Sequence, residues 1–175
     1  MSNQLSLFEE QPMITSFKGE YNFLSNFVGC PLQIERILYR TSEHAYQAMK
    51  TTNEEIRRQI AAMPNPADAK RFARTIVLRD NWEGMKLSVM ECILWYKFQH
   101  PIFRQKLLDT GDTLLIEGNT WGDTFWGCVQ RGGKWVGHNH LGKLLMHTRE
   151  KIRQLPPHPL SGHSPYVPWV PSWKK

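Results

Sequence analysis

Within ten residues, Thr41-Ser42-Glu43-His44-Ala45-Tyr46-Gln47-Ala48-Met49-Lys50 sets a carboxylate, an imidazole, an amide and an amine at the opening of an amphipathic helix. Ser42 has the chemistry of an N-cap, its hydroxyl accepting from a first-turn amide, which would put Glu43 at the positive end of the helix dipole. A carboxylate there is expected to stay ionised and to act as a general base or as the counter-charge to a cationic transition state. An acidic first turn is also ordinary helix capping, so the segment gains chemical meaning only from what accompanies it.

Three further stretches put tryptophan, asparagine and carboxylate in loops, where a stable fold has little need of them. They are Phe23-Leu24-Ser25-Asn26-Phe27, Asp123-Thr124-Phe125-Trp126-Gly127 and Gly137-His138-Asn139-His140-Leu141-Gly142-Lys143-Leu144-Leu145-Met146. An indole can stack on a heterocycle while a neighbouring carboxylate moves a proton, a pairing suited to a base held beside a sugar. The structural alternative makes these tryptophans core anchors and places Asp123 in a turn. Metal chemistry is not expected: His138, His140 and His147 lack a cysteine or acidic ligand at a supporting spacing, and Glu43-His44 is not the HExxH order. No cofactor is implied.

These groups need a scaffold. The spacing of Trp82, Met85, Val89, Cys92 or Ile93 and Tyr96 predicts a long helix from Asn81 to about Gln99, with Trp82, Lys86 and Met90 along one edge. Helix starts are expected at Asn53-Glu54-Glu55 and at Asn65-Pro66, and His100-Pro101 should end the long helix and begin a shorter one closing near Gly111. Leu114-Leu115-Ile116 reads as a buried strand, and Gly132-Gly133 as a hairpin turn between Val129 and Val136. Asn139 is placed to cap a last helix with Leu141, Leu144, Leu145, Ile152 and Leu155 inward and Lys143, Arg149, Lys151 and Arg153 mostly outward. The expected fold class is α+β, a predominantly helical single domain with a few short strands.

The chain of 175 residues suits one domain at 13–155, between an N-terminal tail at 1–12 and a C-terminal tail at 156–175 that is rich in proline. No apolar run is long enough to cross a bilayer and no secretory pattern opens the chain, so a cytoplasmic protein without membrane contact is expected. Cys30, Cys92 and Cys128 are odd in number and form no CxxC pair, which argues for reduced core thiols. The net charge of +6 is uneven: residues 131–175 hold eight Lys or Arg against Glu150 alone. That basic end is the expected contact for an anion, either a phosphorylated metabolite or nucleic acid.

In order along the chain, Leu24-Ser25-Asn26-Phe27, Thr41-Ser42-Glu43-His44 with Gln47-Ala48 and Lys50, Asn81-Trp82 with Lys86 and Val89-Met90, Asp123 with Trp126-Gly127, and Asn139 with Leu141-Gly142 and Leu144-Leu145-Met146 resemble the motifs of the NADAR (YbiA-like) family, over about 17–152. The resemblance implies a compact, mainly helical α+β domain with N-glycosidase activity. Relatives act on early riboflavin-pathway intermediates, the ribosylamino-pyrimidine phosphates, or remove ADP-ribose from guanine in DNA. Carried over residue by residue, the functional positions are Glu43, Trp82, Asp123 and Trp126, with Asn26, Lys86 and Asn139 as pocket neighbours. The chain departs from the family pattern after Trp126, where Cys128-Val129-Gln130-Arg131 intervenes before Gly132-Gly133 at the edge facing the distal part of a substrate.

Breaking a ribosyl C1–N bond requires an anion near the developing sugar cation, a proton for the departing nitrogen and an activated water. Glu43 and Asp123 are the expected acids, their roles interchangeable at this stage, with Trp82 and Trp126 sandwiching the ring. Lys86 offers a covalent alternative through a Schiff base with a ring-opened sugar. Gln4-Leu5-Ser6-Leu7-Phe8 is similar to the peptide by which bacterial DNA-processing proteins bind the sliding clamp, with Gln4, Leu5, Leu7 and Phe8 as its contacts. With the basic C-terminal end, it tilts the expected substrate towards ADP-ribosylated DNA. A non-catalytic adaptor binding DNA or the clamp is the alternative outside enzymology, although acids in an aromatic pocket would repel its phosphates. In a pull-down with a bacterial sliding clamp, Leu7→Ala and Phe8→Ala are each expected to abolish retention of the protein; retention unchanged by both would remove the tether.

Overall fold

The computed structural model describes residues 12–155, so the Gln4–Phe8 peptide and the proline-rich tail lie outside the described residues. Six α-helices, one 3-10 helix and six short strands follow one another among those residues, paired into three two-stranded sheets. The expected α+β, helix-dominated single domain is what the chain forms.

Strand β1 (Met13–Ile14) runs parallel to β4 (Leu114–Leu115), tying the start of the domain to the middle of the chain. The 3-10 helix Gly19–Leu24 leads into the loop carrying Ser25, Asn26 and Phe27. Next comes a hairpin, β2 (Gly29–Ile34) against β3 (Ile37–Thr41), whose buried positions alternate through Cys30, Leu32, Ile34, Ile37, Tyr39 and Thr41. Its two-residue turn, Glu35-Arg36, holds both residues at positive φ, 50° and 67°, the backbone of a type I′ connection in which Asn-Gly is usual. An ion pair from Glu35 to Arg57 anchors that turn to the neighbouring helix.

Helix α1 (Ser42–Ala48) starts directly from β3, and its cap differs from the expected one. Thr41, still extended at the end of the strand, accepts the His44 amide on its hydroxyl, and Ser42 becomes the first helical residue. Helices α2 (Glu54–Ala62) and α3 (Pro66–Phe72) begin where Asn53 and Asn65-Pro66 predict, each asparagine accepting a first-turn amide. The long helix α4 (Trp82–Lys97) and the shorter α5 (Pro101–Asp109) also follow the sequence pattern, and β5 (Val129–Arg131) with β6 (Lys134–Val136) forms the expected glycine hairpin. Helix α6 (His140–Arg153) packs on α4. Arg149 corrects the outward reading of its basic face: it is buried, with Nη1 donating to Thr110 Oγ1 at 2.7 Å and to the Thr113 carbonyl at 3.0 Å. Among the described residues no helix is long and apolar enough to cross a membrane.

Helix α1 lies at the centre, against α2, α3, α4 and the β2–β3 hairpin, so all seven of its residues are buried, the polar ones included. At the C-terminal end of α4, Lys97 is wholly buried, with Nζ donating to the Ser25 carbonyl at 2.7 Å and lying 5.3 and 5.5 Å from the ring centres of Phe98 and Phe103. This bond pins the loop that presents Asn26 and Phe27. Loss of hydration pulls the Lys97 ammonium down to about 7, well below the usual lysine range near ~10.4. Between those two values the unfolded chain holds the proton that the folded chain has released, so folding stability rises with pH there. The urea midpoint of the wild type, relative to that of Lys97→Met, is therefore expected to climb from pH 7 to 9.5; a constant difference would contradict the buried titration.

Candidate active site

A cleft of about 870 Å³ opens beside α1 and collects side chains from well-separated parts of the chain, Lys18 ahead of the 3-10 helix and Leu141 of α6 among them. Glu43 and Gln47 come from α1, Asn26 and Phe27 from the loop after the 3-10 helix, Lys70 and Arg71 from α3, Met90 from α4, and Glu117, Trp121, Asp123 and Trp126 from the segment between β4 and β5.

The Glu43 amide donates to the Asn26 carbonyl at 2.9 Å, joining the helix start to the loop. The Glu43 side chain is buried and accepts from Gln47 Nε2 at 2.8 Å, one turn on. Burial raises its pKa; the Gln47 hydrogen bond and the Lys70 and Lys50 ammonium groups oppose the rise without cancelling it. Position at a helix start therefore does not keep this carboxylate at an ordinary acidity, as expected from the sequence, because desolvation outweighs it. Around it, Asn26 Oδ1 and Gln47 Oε1, both on cleft-lining residues, are buried without a hydrogen-bond partner among the described residues. Buried polar atoms of this kind are rare, and a pair of them beside a cleft fits a ligand that supplies the missing partners.

Asp123 sits in a tight turn. Its Oδ1 accepts from the amides of Phe125 (3.0 Å) and Trp126 (2.8 Å), while Asn119 bonds both its amide and its carbonyl. The turn thus orients both the carboxylate and the Trp126 indole on the cleft wall. Glu117, which sequence reasoning did not single out, is the third acid. Its pKa is pushed up to about 7, first by burial and then by Asp123 and Glu43, against the opposing pull of Lys70. Nothing in the pattern around Glu117 marks it; its significance comes from being folded against two other carboxylates.

The structure brings Glu43, Asp123, Asn26 and Trp126 to one cleft, but Trp82, Lys86 and Asn139 are not among its lining residues. Trp82 is buried against Tyr46, ring centres 5.3 Å apart, and Tyr46 meets Trp126 edge-on at 5.5 Å. Tyr46 therefore occupies the space between the two indoles that a substrate ring was expected to fill. Lys86 pairs with Glu83 and lies 3.9 Å over the Phe125 ring. Asn139, at a left-handed φ of 52°, does not cap α6 with its side chain; it accepts the Glu117 amide at 3.0 Å and donates to the Leu115 carbonyl at 2.9 Å. Gly142 makes room for this, since a Cβ there would come within 2.6 Å of the amide of Asn139. Phe27, of the expected Ser25-Asn26-Phe27 stretch, and Trp121, missed from the sequence, are 43% and 62% exposed at the cleft. The cleft is also lined by cations, Lys18, Lys50, Lys70, Arg71 and Arg74; in the described part of the basic C-terminal end, Lys151 and Arg153 are engaged with Glu91 and Asp112.

The NADAR domain model matches residues 13–153. The chain belongs to the NADAR domain family. It is similar to the N-glycosidase YbiA of Escherichia coli (strain K12), with 39% identity over 140 residues, 78% of this chain and 85% of that protein. The N-glycosidase Npun_R5314 of Nostoc punctiforme is 40% identical over 141 residues, covering 77% of this chain and 88% of the relative. A riboflavin biosynthesis protein, VVA0006 of Vibrio vulnificus, is 34% identical over 161 residues, 90% of this chain but 41% of the larger relative. The NMR structure of E. coli YbiA superposes with a TM-score of 0.68 at 35% identity, covering 83% of this chain and 90% of that one. In this chain the motifs at Asn26, Glu43, Asp123 and Trp126 meet in one place.

A raised carboxyl pKa costs stability as pH climbs, because the unfolded chain releases its proton first. From pH 4 to 7, Glu43→Gln, which keeps an acceptor for Gln47, is expected to melt progressively above the wild type, by at least ~2 °C at pH 7. Calorimetry showing the variant less stable across that range would contradict the burial cost assigned to Glu43.

Proposed function

We propose that the protein hydrolyses the bond between ribose C1 and a ring or exocyclic nitrogen in a phosphorylated N-riboside. The observation that carries this reading is that one cleft is lined by both acids and cations. Glu43 and Asp123 supply the anions that a developing ribosyl cation needs, with Glu117 as a third acid on the same cleft. Lys18, Lys50, Lys70 and Arg74 make no ion pair among the described residues and are free to meet phosphate. Trp121, Phe27 and Trp126 offer aromatic surface to a base. A catalytically idle adaptor would have no use for three acids here, since they repel a nucleic-acid backbone.

In this scheme water attacks C1 as the C1–N bond lengthens, one of the Glu43 and Asp123 carboxylates taking the water's proton and the other countering charge on the sugar. The electron pair of the broken bond goes to nitrogen, which must be protonated. Asn26 and Gln47, each with an open acceptor, are suited to the ribose hydroxyls. Lys86 is not among the residues lining the cleft and is paired with Glu83, which favours hydrolysis by water over a lysine imine.

Two substrate classes fit. Removal of ADP-ribose from guanine in DNA is favoured by the number of cations, because five basic side chains exceed what one phosphate monoester engages, whereas a pyrophosphate beside a DNA strand would occupy them. The clamp-like Gln4–Phe8 peptide and a cytoplasmic setting belong with that reading. Ribosylamino-pyrimidine phosphates are favoured by the names of relatives such as VVA0006, a riboflavin biosynthesis protein. Side-by-side hydrolysis of ADP-ribosylated guanine in an oligonucleotide and of a ribosylamino-pyrimidine phosphate is expected to show kcat/KM at least ~10-fold higher on the DNA. Glu43→Ala should lose at least ~100-fold on the better substrate, the scale of a lost acid–base group. The reverse order of substrates would reassign the function to the metabolite, and retained activity in Glu43→Ala would end the role of that residue.

A further inference from the structure

We propose that Glu117 is the proton donor to the departing nitrogen, with Asn139 as the residue that positions it, an inference that rests on the hydrolysis reading above. Glu117 lines the cleft, yet one of its carboxyl oxygens, Oε2, is buried and without a hydrogen-bond partner among the described residues. A charged carboxylate oxygen left bare in this way costs more than a neutral carboxyl does, so the surroundings favour the protonated form. The fold makes this placement deliberately tight. A Cβ on Gly127 would lie 2.1 Å from Glu117 Oε2 and 2.1 Å from the Glu117 carbonyl, so the absence of a side chain there is what lets the carboxyl settle.

Position is fixed from the backbone outward. Asn139 Oδ1 takes the Glu117 amide, its Nδ2 holds the Leu115 carbonyl, and the Cys128 amide donates to the Glu117 carbonyl at 2.9 Å. The family motif residue Asn139 thus reaches the cleft through Glu117 and does not line it. The titratable groups facing Glu117 are Asp123, Glu43, Lys70 and the Cys128 thiol. Two of them are carboxyls that disfavour a third negative charge, and the rise of Glu117 to about 7 agrees with that arrangement. Groups of one type driven to different acidities by their surroundings are how an acid and a base coexist in one site.

The step balances as follows. Water adds its oxygen to C1, the C1–N pair leaves with nitrogen, the Glu117 proton passes to that nitrogen, and a neighbouring carboxylate accepts a proton from water. Exchange with solvent then restores both groups. A proton donor is active below its pKa, so kcat should fall as pH rises through about 7.

The test measures kcat and KM from pH 5 to 9 for wild type, Glu117→Gln and Asn139→Ala, on a series of N-ribosides whose departing rings differ in basicity. Support would be an alkaline limb near pH 7 in the wild type that vanishes in Glu117→Gln. At pH 6 that variant should lose at least ~100-fold in kcat, with KM within about threefold and a loss that shrinks as the departing ring becomes less basic. Asn139→Ala should displace the limb and lower kcat while leaving KM close to wild type. A Glu117→Gln enzyme that keeps its activity, or loses it equally across the series, would overturn the proposal. Should that variant fail to fold, a wild-type kcat that stays flat from pH 6 to 9 overturns it equally. Wild type inactive on every N-riboside would instead remove the hydrolysis reading and this inference with it.

Discussion

Three carboxylates along one cleft repel one another, and burial makes the repulsion stronger by removing water that would screen it. The rest of the structure answers that constraint. Glu43 is steadied by Gln47 and by the ammonium groups of Lys50 and Lys70, Asp123 by two amides of its own turn, and Glu117 by a raised pKa close to neutrality. Three acids in similar settings would do only one job. Set in a buried helix start, a hydrogen-bonded turn and a tight glycine-backed corner, they divide among charge stabilisation, water activation and proton delivery.

The cations that balance these acids also explain why the cleft suits a phosphorylated ligand. Lys70 acts on Glu43 and Glu117 and lines the same cleft as Lys18, Arg71 and Arg74, so the ammonium that steadies the acids belongs to the surface that meets phosphate. A bound polyanion would draw on those cations and leave the acids less compensated, which favours a substrate whose sugar becomes positive as it reacts. Binding and chemistry are coupled through the same side chains.

Much of the fold was legible. Asn53, Asn65-Pro66, His100-Pro101 and Gly132-Gly133 act locally, through caps and turn geometry, and the helices and hairpin appear where those residues predict. The β2–β3 hairpin escaped notice because Glu35-Arg36 carries no glycine or asparagine; the left-handed turn is imposed by strand pairing and by the Glu35–Arg57 ion pair. The cap of α1 shifted from Ser42 to Thr41 because the preceding strand, invisible as a pattern, keeps Thr41 extended. Within the site, motif residues Glu43, Asp123, Asn26 and Trp126 were readable. Glu117 and the cations of the cleft were not, since a carboxyl pKa and a charge cluster are properties of the folded arrangement. In the basic C-terminal stretch, Arg149 and Arg153 are held by Thr110 and Asp112, so part of that charge serves the packing of α6.

The central claim is that acids and cations face a single ligand across one cleft. A crystal structure with an imino-ribitol 5-phosphate, whose ring ammonium stands in for the ribosyl cation, tests it directly. The ammonium should lie within hydrogen-bond distance of Glu43 or its acidic neighbours, with the phosphate on Lys70 and Arg74. Density for the ammonium away from the three acids, or for the phosphate on the C-terminal basic helix, would contradict the account.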